Sequence, residues 1–364
     1  MKTSNHLLRR LTAALLAAVL ALSIALPVFA SDDGDTIYIN SVSDLLSLAR
    51  NCAYDQWSVG KTVILQKDLS LEGMLWEPIP SFSGQFKGNG HTISDLTITG
   101  QYSPAGLFGI VEEQGSIESL SVRGVVSVSD SADTTTGGIV GVNHGTLINC
   151  QFTGVVTGDS EVGGIVGRNE SEGTIDHGTA RAIVTGKSST GGIAGYNLGA
   201  ITGCTNVGSI NTEYPEASLD TDGFTAKMVD YINNKMAAAD NDATNSVTNV
   251  ATDTGGIAGR SSGMILTSVN TGTIGYEHVG YNVGGIVGRT DGLVSGCVNQ
   301  GRVLGRKDVG GIAGQAEPYR ELDLSKDTIK RLRSELEVLR GLVDDTTGCL
   351  LYTSPSPRDI SGSR

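Results

Sequence analysis

A glycine-rich pentapeptide recurs along the chain and organises its apolar and polar positions. Copies of Gly-Gly-Ile-[Val/Ala]-Gly begin at Gly137, Gly163, Gly191, Gly255, Gly284 and Gly310, with spacings of 26, 28, 64, 29 and 26 residues. A divergent earlier copy spans Ala105 to Gly109. The long spacing is one ordinary period plus an insertion. Self-similarity at this period is typical of a solenoid, in which each unit buries its apolar side on the next.

Alignment of the copies reveals two apolar columns. The first contains Leu147, Ile175, Ile201, Ile265 and Val294, and the second contains Val156, Val184, Ile210, Ile274 and Val303. Short β-branched runs broken by glycine favour strands, because each interior glycine costs a helix ~1 kcal/mol relative to alanine. A period near 27 residues predicts a rung of about three strands, stacked about 4.8 Å from the next rung. The predicted fold is an all-β solenoid, a parallel β-helix that is right-handed by the usual crossover preference.

Glycine and asparagine also align in columns. We expect the doubled glycine to allow positive φ at a corner and to let adjacent rungs approach without a Cβ. Asparagine ladders are predicted at two columns, which read Asn143, Asn169, Asn197, Ser261, Thr290 and Asn206, Asn270, Asn299. Stacked amides can bond to one another along the axis. A ligand-binding role for these amides is the alternative, and we favour the structural one.

Three segments have helical patterns. Ser41 to Asp44 precedes a Leu-rich run and predicts a capped amphipathic helix that covers the N-terminal edge of the solenoid. The insertion at about 212–252 contains Phe224, Met228, Ile232 and Met236, which recur every four residues as in a helix on the solenoid flank or a partner-binding arm. In 325–345, apolar residues at heptad spacing predict the start of a helical or coiled-coil segment that could mediate self-association: Ile329, Leu332, Leu336, Leu339 and Val343.

The N-terminus has the pattern of a secretory signal peptide in residues 1–30. Basic Lys2, Arg9 and Arg10 precede an apolar run that ends at Pro27-Val-Phe-Ala30. We therefore expect an extracellular or bacterial cell-surface protein that does not insert into a membrane after signal removal. Loss of three basic residues changes the formal charge from −13 to −16. This balance argues against nucleic acid and anionic membrane as partners, and leaves an extracellular protein or glycan surface.

The C-terminal residues match something other than a natural protein. Cys349 to Asp359 resembles, residue for residue, one reading frame of a transposon adapter used to prepare sequencing libraries. We expect residues 349–364 to be an artefact of this kind and the natural gene to continue differently. The predicted organisation between the two termini is an N-terminal cap with the first strands at 31–80 and a β-helix at 81–316.

The chain resembles bacterial surface proteins that carry GLUG motifs. The resemblance rests on Phe86 to Ile98 (FKGNGHTISDLTI), Gly106 to Gly109 and the Gly-Gly-Ile repeats, and it extends over about Val63 to Gln315. It implies the β-helix, and it implies a place either in adhesin-like surface proteins or ahead of the catalytic part of immunoglobulin A-cleaving metallopeptidases.

Catalytic motifs are matched poorly by this sequence. Gly259 to Gly263 fits G-x-S-x-G, but it lies where other copies have asparagine-rich turns and lacks the strand–elbow–helix context. Gly186-Lys-Ser188 lacks the first glycine of a phosphate-binding loop. The sequence contains no H-E-x-x-H, and its five histidines do not have metal-ligand spacing. Asp220/Asp222 and Asp240/Asp242 are better read as solvated loop carboxylates than as a weak calcium site.

The acidic residues of one column are not paired in the way that the hydrolysis of glycosidic bonds requires. The column two residues before the glycine pair reads Thr135, Glu161, Ser189, Asp253, Asn282 and Asp308, so neighbouring rungs never both carry an acid there. The sequence therefore predicts no catalytic, cofactor-binding or metal-binding residues and no cofactor.

Three functional hypotheses remain. The first is a secreted or cell-surface structural or adhesion repeat protein that is not an enzyme in this fragment. The second is the N-terminal spacer of a truncated surface metallopeptidase, which a downstream H-E-x-x-H would reveal. The third is a carbohydrate-processing or carbohydrate-binding β-helix, which the sparse aromatic content (5%) makes the weakest.

Overall fold

The computed structural model describes residues 35–54, 56–128, 134–212 and 251–317. These residues all belong to the unit Met1–Glu317, and a second unit, Pro318–Arg364, lies outside the described residues. Four of the predicted features also lie outside them: the signal peptide at 1–30, the insertion helix around Phe224 to Met236, the heptad segment at 325–345 and the adapter-like segment at 349–364.

The first part of the described chain contains one helix and nine strands. They are β1 (Thr36–Ile39), α1 (Val42–Asn51), β2 (Thr62–Leu65), β3 (Leu69–Ser70), β4 (Ile79–Phe82), β5 (Gln85–Lys87), β6 (Thr92–Gly100), β7 (Phe108–Val111), β8 (Ser116–Glu118) and β9 (Ser121–Val128).

The glycine repeats that follow form short strands separated by sharp bends. They are β10 (Thr136–Gly137), β11 (Val140–Asn143), β12 (Thr146–Ile148), β13 (Gln151–Thr157), β14 (Ser160–Gly163), β15 (Val166–Asn169), β16 (Thr174–Asp176), β17 (Thr179–Thr185), β18 (Ser188–Gly191), β19 (Ala194–Asn197), β20 (Ala200–Thr202), β21 (Thr205–Asn206), β22 (Ser209–Ile210), β23 (Thr252–Gly255), β24 (Ala258–Ser261), β25 (Met264–Leu266), β26 (Val269–Asn270), β27 (Tyr281–Gly284), β28 (Val287–Thr290), β29 (Leu293–Ser295), β30 (Val298–Asn299), β31 (Lys307–Gly310) and β32 (Ala313–Ala316).

The strands wind into four parallel sheets, which we number in the order in which a repeat visits them. Sheet I contains β10, β14, β18, β23, β27 and β31, and sheet II contains β4, β7, β11, β15, β19, β24, β28 and β32. Sheet III contains β1, β2, β5, β8, β12, β16, β20, β25 and β29, and sheet IV contains β3, β6, β9, β13, β17, β21, β26 and β30, with β22 beside β17. The nine strands of sheet III correspond to about eight turns of a parallel β-helix, as the repeat predicts.

The number of strands in a rung differs from the expectation of about three. From β10 onwards each complete rung contributes one strand to each of the four sheets. The cause is a bend at the second glycine and the isoleucine of the pentapeptide, Gly138-Ile139 in the first copy, which separates β10 from β11. The pentapeptide therefore forms a corner between two strands.

Both apolar columns are confirmed by the strand register. Leu147, Ile175, Ile201, Ile265 and Val294 are successive partners in sheet III. Val156, Val184, Ile210, Ile274 and Val303 are successive partners in and beside sheet IV. The isoleucine of the pentapeptide forms a further inward column, in which Ile139, Ile165, Ile193, Ile257 and Ile286 are fully buried.

The doubled glycine acts through close approach, and the expectation of positive φ at this pair is wrong. A Cβ on Gly137 would collide with the carbonyl oxygen of Val140, and a Cβ on Gly138 would collide with the ring of Phe152 across the interior. Neither glycine has a positive φ. The pair therefore makes the corner between sheets I and II tight and the interior narrow.

Positive φ occurs instead in two other columns, mostly at polar residues. In sheet I the values are 49° at Glu161, 47° at Ser189, 55° at Asp253, 54° at Asn282 and 54° at Asp308. Between sheets III and IV the positive-φ column contains Ser119, Asn149, His177, Gly203, Thr267 and Gly296. Asn and Asp tolerate the left-handed region better than most residues, which suits them to these turns.

Helix α1 lies beside β1 and β4 near the first strands. Ser41 is its N-cap, and its Oγ accepts a hydrogen bond from the backbone N–H of Asp44 at 3.3 Å. Leu45 and Leu48 are buried in the core. The sequence pattern therefore identified the start of this helix and its buried face.

We predict that Ile193→Asp will strongly destabilise the chain. Ile193 is fully buried and lies between Ile165 and Ile257, so an aspartate there would be an unpaired buried charge that costs several kcal/mol. Thermal unfolding followed by circular dichroism should show a much lower Tm than the parent. Ile193→Val is the control and should cost only about 1 kcal/mol. An unchanged Tm for the aspartate variant would refute the inward assignment.

Candidate functional site

The asparagine columns are internal ladders whose amides are bonded to one another. Asn143 Nδ2 donates to Asn169 Oδ1 at 2.8 Å, and Asn169 Nδ2 donates to Asn197 Oδ1 at 2.8 Å. Asn197 Nδ2 continues the ladder to Ser261 Oγ at 3.0 Å. These four residues are fully buried. Their polar atoms are used in the interior, which confirms the structural interpretation for this column.

The second ladder is built in the same way. Asn206 Nδ2 donates to Asn270 Oδ1, and Asn270 Nδ2 donates to Asn299 Oδ1, both at 2.8 Å. Each amide also closes a local turn; for example, Asn206 Oδ1 accepts from the N–H of Gly208 at 3.1 Å. The ladder lies opposite the second glycine of the pentapeptide, because Cβ atoms on Gly256 and Gly285 would collide with Asn270 and Asn299.

The G-x-S-x-G match at Gly259 to Gly263 has no catalytic geometry. Its central Ser261 is fully buried at the end of β24, and its Oγ accepts the bond from Asn197. Strand β25, and not a helix, follows it directly. The lysine of Gly186-Lys-Ser188 forms an ion pair with Asp159, with an Nζ–Oδ1 distance of 2.6 Å. Both motifs are therefore parts of the repeat.

Ionisable side chains are not gathered into a metal site in the part of the chain that the structure describes. Within those residues, no three His, Cys, Asp or Glu side chains are placed to share an ion. His91 pairs with Asp68 at 3.2 Å and His177 pairs with its neighbour Asp176 at 2.8 Å, far apart along the solenoid. The aspartate pairs at 220/222 and 240/242 lie outside the described residues.

The acidic column of sheet I is in the predicted register. Ser189 and Asn282 separate Glu161, Asp253 and Asp308, and Asn282 Nδ2 donates to Asp253 Oδ1 at 2.6 Å. Burial raises the pKa of Glu161, although the guanidinium of Arg168 opposes that shift. Glu161 is therefore held by a basic partner, which it shares with Glu170.

Arg168, the basic partner of Glu161, belongs to a column of outward-facing residues that matches no known motif. On the outer side of sheet II, the residue after the pentapeptide reads Val142, Arg168, Tyr196, Arg260, Arg289 and Gln315 on successive rungs. We call the four central residues, Arg168, Tyr196, Arg260 and Arg289, the Arg–Tyr column. Its signal was present in the sequence as a basic or aromatic residue that directly follows Ile-[Val/Ala]-Gly.

Tyr196 is held between two guanidinium groups. The guanidinium carbons of Arg168 and Arg260 lie 5.0 and 5.1 Å from the centre of its ring, a geometry that favours cation–π attraction. Tyr196 Oη is 3.4 Å from Ser262 Oγ. The column is therefore an ordered stack of side chains on the outer face of the sheet.

The arginines differ in how their charge is neutralised. Arg168 contacts Glu161 at 2.6 Å and Glu170 at 2.8 Å. Arg289 contacts Glu317 at 2.9 Å, and these hydrogen bonds raise the pKa of its guanidinium. Among the described residues, Arg260 has no carboxylate within salt-bridge distance and contacts the ring of Tyr196.

A polar cleft lies at the N-terminal end of the same sheet. It has a volume of about 450 Å³ and is lined by Gln56, Ser81, Ser83, Glu112, Glu113 and Gln114. Ser81 Oγ donates to Glu112 Oε1 at 2.7 Å. Ser81 lies in the same outward position of its strand as the Arg–Tyr column, because β4, β7, β11 and β15 are in register.

The four cysteines of the described residues are free thiols, and three of them are buried. Cys150, Cys204 and Cys297 share a column with Gly178 and Ser268, while Cys52 lies next to α1. Cys297 is only half-buried, and the other three are buried. Desolvation raises the pKa of Cys52 to about 11 and that of Cys150 and Cys204 to about 12. Such thiols are poor nucleophiles at neutral pH.

No helix in the described residues combines the length and the apolar character needed to cross a membrane.

Comparisons with known proteins show the fold and distant relatives. No protein-family model matches the chain, so the GLUG resemblance stays a prediction. Halomucin of Haloquadratum walsbyi is 30% identical over 155 residues, which are 39% of this chain and 2% of halomucin. A protein of Evansella cellulosilytica assigned as a Gly-rich membrane protein is 29% identical over 137 residues, 27% of this chain and 16% of that protein.

A solved structure resembles a larger part of the chain. The crystal structure of a Bacteroides ovatus protein assigned as an immunoglobulin A1 protease aligns with a TM-score of 0.50 and 18% identity. The alignment covers 78% of this chain and 84% of that one. At this identity the likeness shows a shared solenoid fold.

The segments that match halomucin and the Evansella cellulosilytica protein represent less than a fifth of the length of each of those two proteins.

We predict that Cys52, Cys150, Cys204 and Cys297 form no intramolecular disulfide. Two rungs separate Cys150 from Cys204, which places their Cα atoms about 9.6 Å apart, whereas a disulfide requires less than about 7 Å. Mass spectrometry after alkylation of unreduced, unfolded protein should find all four labelled. In the folded protein at pH 8, Cys150 and Cys204 should label far more slowly than Cys297. A Cys150–Cys204 crosslink would refute the rung assignment.

Proposed function

We propose that this chain is a secreted or cell-surface structural and adhesion module with no catalytic site in its described part. The observation that carries this proposal is that the polar side chains of the two asparagine ladders bond to one another inside the solenoid. The interior thus provides a stiff scaffold, and what remains for recognition is the outer surface. Repeat proteins use such extended surfaces for binding.

The relatives support an extracellular location. One of them is named halomucin and another is assigned as a Gly-rich membrane protein. The predicted signal peptide at 1–30 is consistent with export, and the formal charge of −16 after its removal suits a soluble surface protein. We propose that the partner is an extracellular protein or glycan surface.

Several finer features belong to the same proposal. Helix α1 would protect the N-terminal edge of the sheets, where the backbone groups of β1 would otherwise be free to pair with another chain. The crossovers would be right-handed, and the repeats would belong to the GLUG group. The heptad residues at 325–345 would support self-association.

The likeness to the Bacteroides ovatus structure favours a second candidate function. That protein is assigned as an immunoglobulin A1 protease, and the alignment covers 84% of its solved chain. The present solenoid would then be a spacer that holds a downstream peptidase away from the cell. An H-E-x-x-H motif in the natural gene beyond Asp345 would support this candidate, and a gene without a zinc motif would exclude it.

We predict that the purified mature chain will not hydrolyse polysaccharides or immunoglobulin A. Within the described residues, no three His, Cys, Asp or Glu side chains are placed to share a zinc ion, and no neighbouring rungs both carry an acid in the acidic column of sheet I. Reducing-end assays and gel analysis of immunoglobulin A should show no product above a boiled control. Turnover that disappears in Glu161→Gln or Asp253→Asn would overturn the proposal, since a contaminating enzyme would be unaffected by these substitutions.

We also predict export that depends on residues 1–30. The full chain expressed with a C-terminal epitope should appear outside the cytoplasm, with a mature N-terminus near Ser31. Leu15→Arg and Leu16→Arg, made together, interrupt the apolar run and should leave the protein in the cytoplasm. A matched control changes Ser4 and Asn5 to alanine and should be exported normally. Export of the arginine variant would contradict the signal assignment.

A further inference from the structure

Arg260 combines an ordered position with a guanidinium that forms no ion pair within the described residues. Its guanidinium is stacked 5.1 Å from the ring centre of Tyr196, which restricts the side chain before any ligand arrives. Asp253 lies on the same rung and accepts a hydrogen bond from Asn282 at 2.6 Å, but it is not within salt-bridge distance of Arg260. Arg168 and Arg289 are paired with glutamates. In the part of the chain that the structure describes, Arg260 is thus the arginine of the column whose N–H groups no carboxylate binds.

The outward positions around Arg260 carry hydroxyl and amide groups. Ser262 follows it at the turn, and its Oγ lies 3.4 Å from the hydroxyl of Tyr196. The backbone of Ser189 lies against Gly259, directly before Arg260. The position that corresponds to Ser189 is Asp253 on the rung of Arg260 and Asn282 on the next rung. The side chains of Tyr196, Ser262, Ser189, Asp253 and Asn282 are all half-buried and in reach of solvent.

We propose that the outer face of sheet II around Arg260 binds the carboxylate of a uronic-acid residue in an acidic polysaccharide. A planar guanidinium can hold a carboxylate through two parallel N–H···O bonds, and it binds best when it is already oriented. The surrounding hydroxyl and amide groups match the hydroxyl groups of a sugar ring. This inference rests on the proposed adhesion function and names the ligand class for it.

Carboxylates also lie near this position. Asp253 and Asp291 both lie close enough to Arg289 to influence its pKa, and the chain as a whole has a formal charge of −13. These charges oppose any anionic ligand, so the affinity has to come from the contact with Arg260 and from the neutral polar groups around it.

Titration of the full mature chain tests this proposal. Polygalacturonate is the probe, dextran is the uncharged polysaccharide, and poly-glutamate supplies carboxylates without sugar. Arg260→Gln should weaken polygalacturonate binding by about tenfold or more, because it removes a charged bidentate donor. The matched control is Arg181→Gln, an exposed arginine on sheet IV that loses the same charge. Arg260→Lys should give intermediate affinity, and the Tm of each variant verifies folding.

The outcomes separate the ligand classes and separate this inference from the function on which it rests. Equal binding by Arg260→Gln and the parent, or equal loss in Arg181→Gln, would overturn the site. Poly-glutamate that binds as tightly as polygalacturonate would overturn the sugar assignment. Binding of free galacturonate would support a single-residue site, and binding of the polymer alone would support an extended one. If the parent binds none of the probes, the ligand class is wrong, whereas export and the lack of hydrolysis are unaffected.

Discussion

The structure depends on one geometric constraint, the in-register stacking of parallel strands about 4.8 Å apart. Every residue in a rung has another residue directly above and below it, so a side chain must be compatible with its own repetition. An isoleucine meets this condition because its side chain packs on the isoleucines of the rungs above and below it. An asparagine meets it because its amide donates a hydrogen bond to the amide of the next rung, as Asn143 does to Asn169. An unpaired buried charge fails because it would meet only apolar neighbours. The narrow corner at the glycine pair follows from the same condition, since a Cβ there would meet backbone or the opposite wall.

This constraint also explains which features the sequence made predictable. The columns at Leu147 and Val156 and the asparagine ladders follow from constant offsets between copies, which do not depend on the bends between strands. The four-stranded rung was not predictable in that way, because a corner at Gly138-Ile139 leaves the apolar pattern unchanged. The expectation of positive φ at the glycine pair was wrong for a related reason: glycine adopts that region most readily, yet in strands β23 and β27 it is Asp253 and Asn282 that adopt it.

The Arg–Tyr column is not visible in the repeat pattern, because its residues differ from copy to copy. Outward positions are not held to the packing condition, so they vary from copy to copy, and Val142, Arg168 and Tyr196 share a column without sharing chemistry. What makes the column recognisable is the pairing across rungs: Arg168 meets Glu161 and Glu170, and Tyr196 receives a guanidinium on each side. Such relations become visible only once the rungs are stacked. The outer surface is thus where recognition can change while the interior stays the same.

The long spacing between Gly191 and Gly255 has a further consequence. Ser188 pairs with Thr252 and Gly191 with Gly255, as if the two rungs were adjacent in the sequence. The inserted residues 213–250 separate Ile210 in sheet IV from Thr252 in sheet I in the sequence, so the insertion point is at a corner and the strand register across it is unbroken. A solenoid of this kind can acquire new segments by lengthening a corner, without duplicating a rung and without disturbing its neighbours. Evolution could therefore diversify such a protein by two independent routes, point changes on the sheet faces and whole-segment gains at the corners.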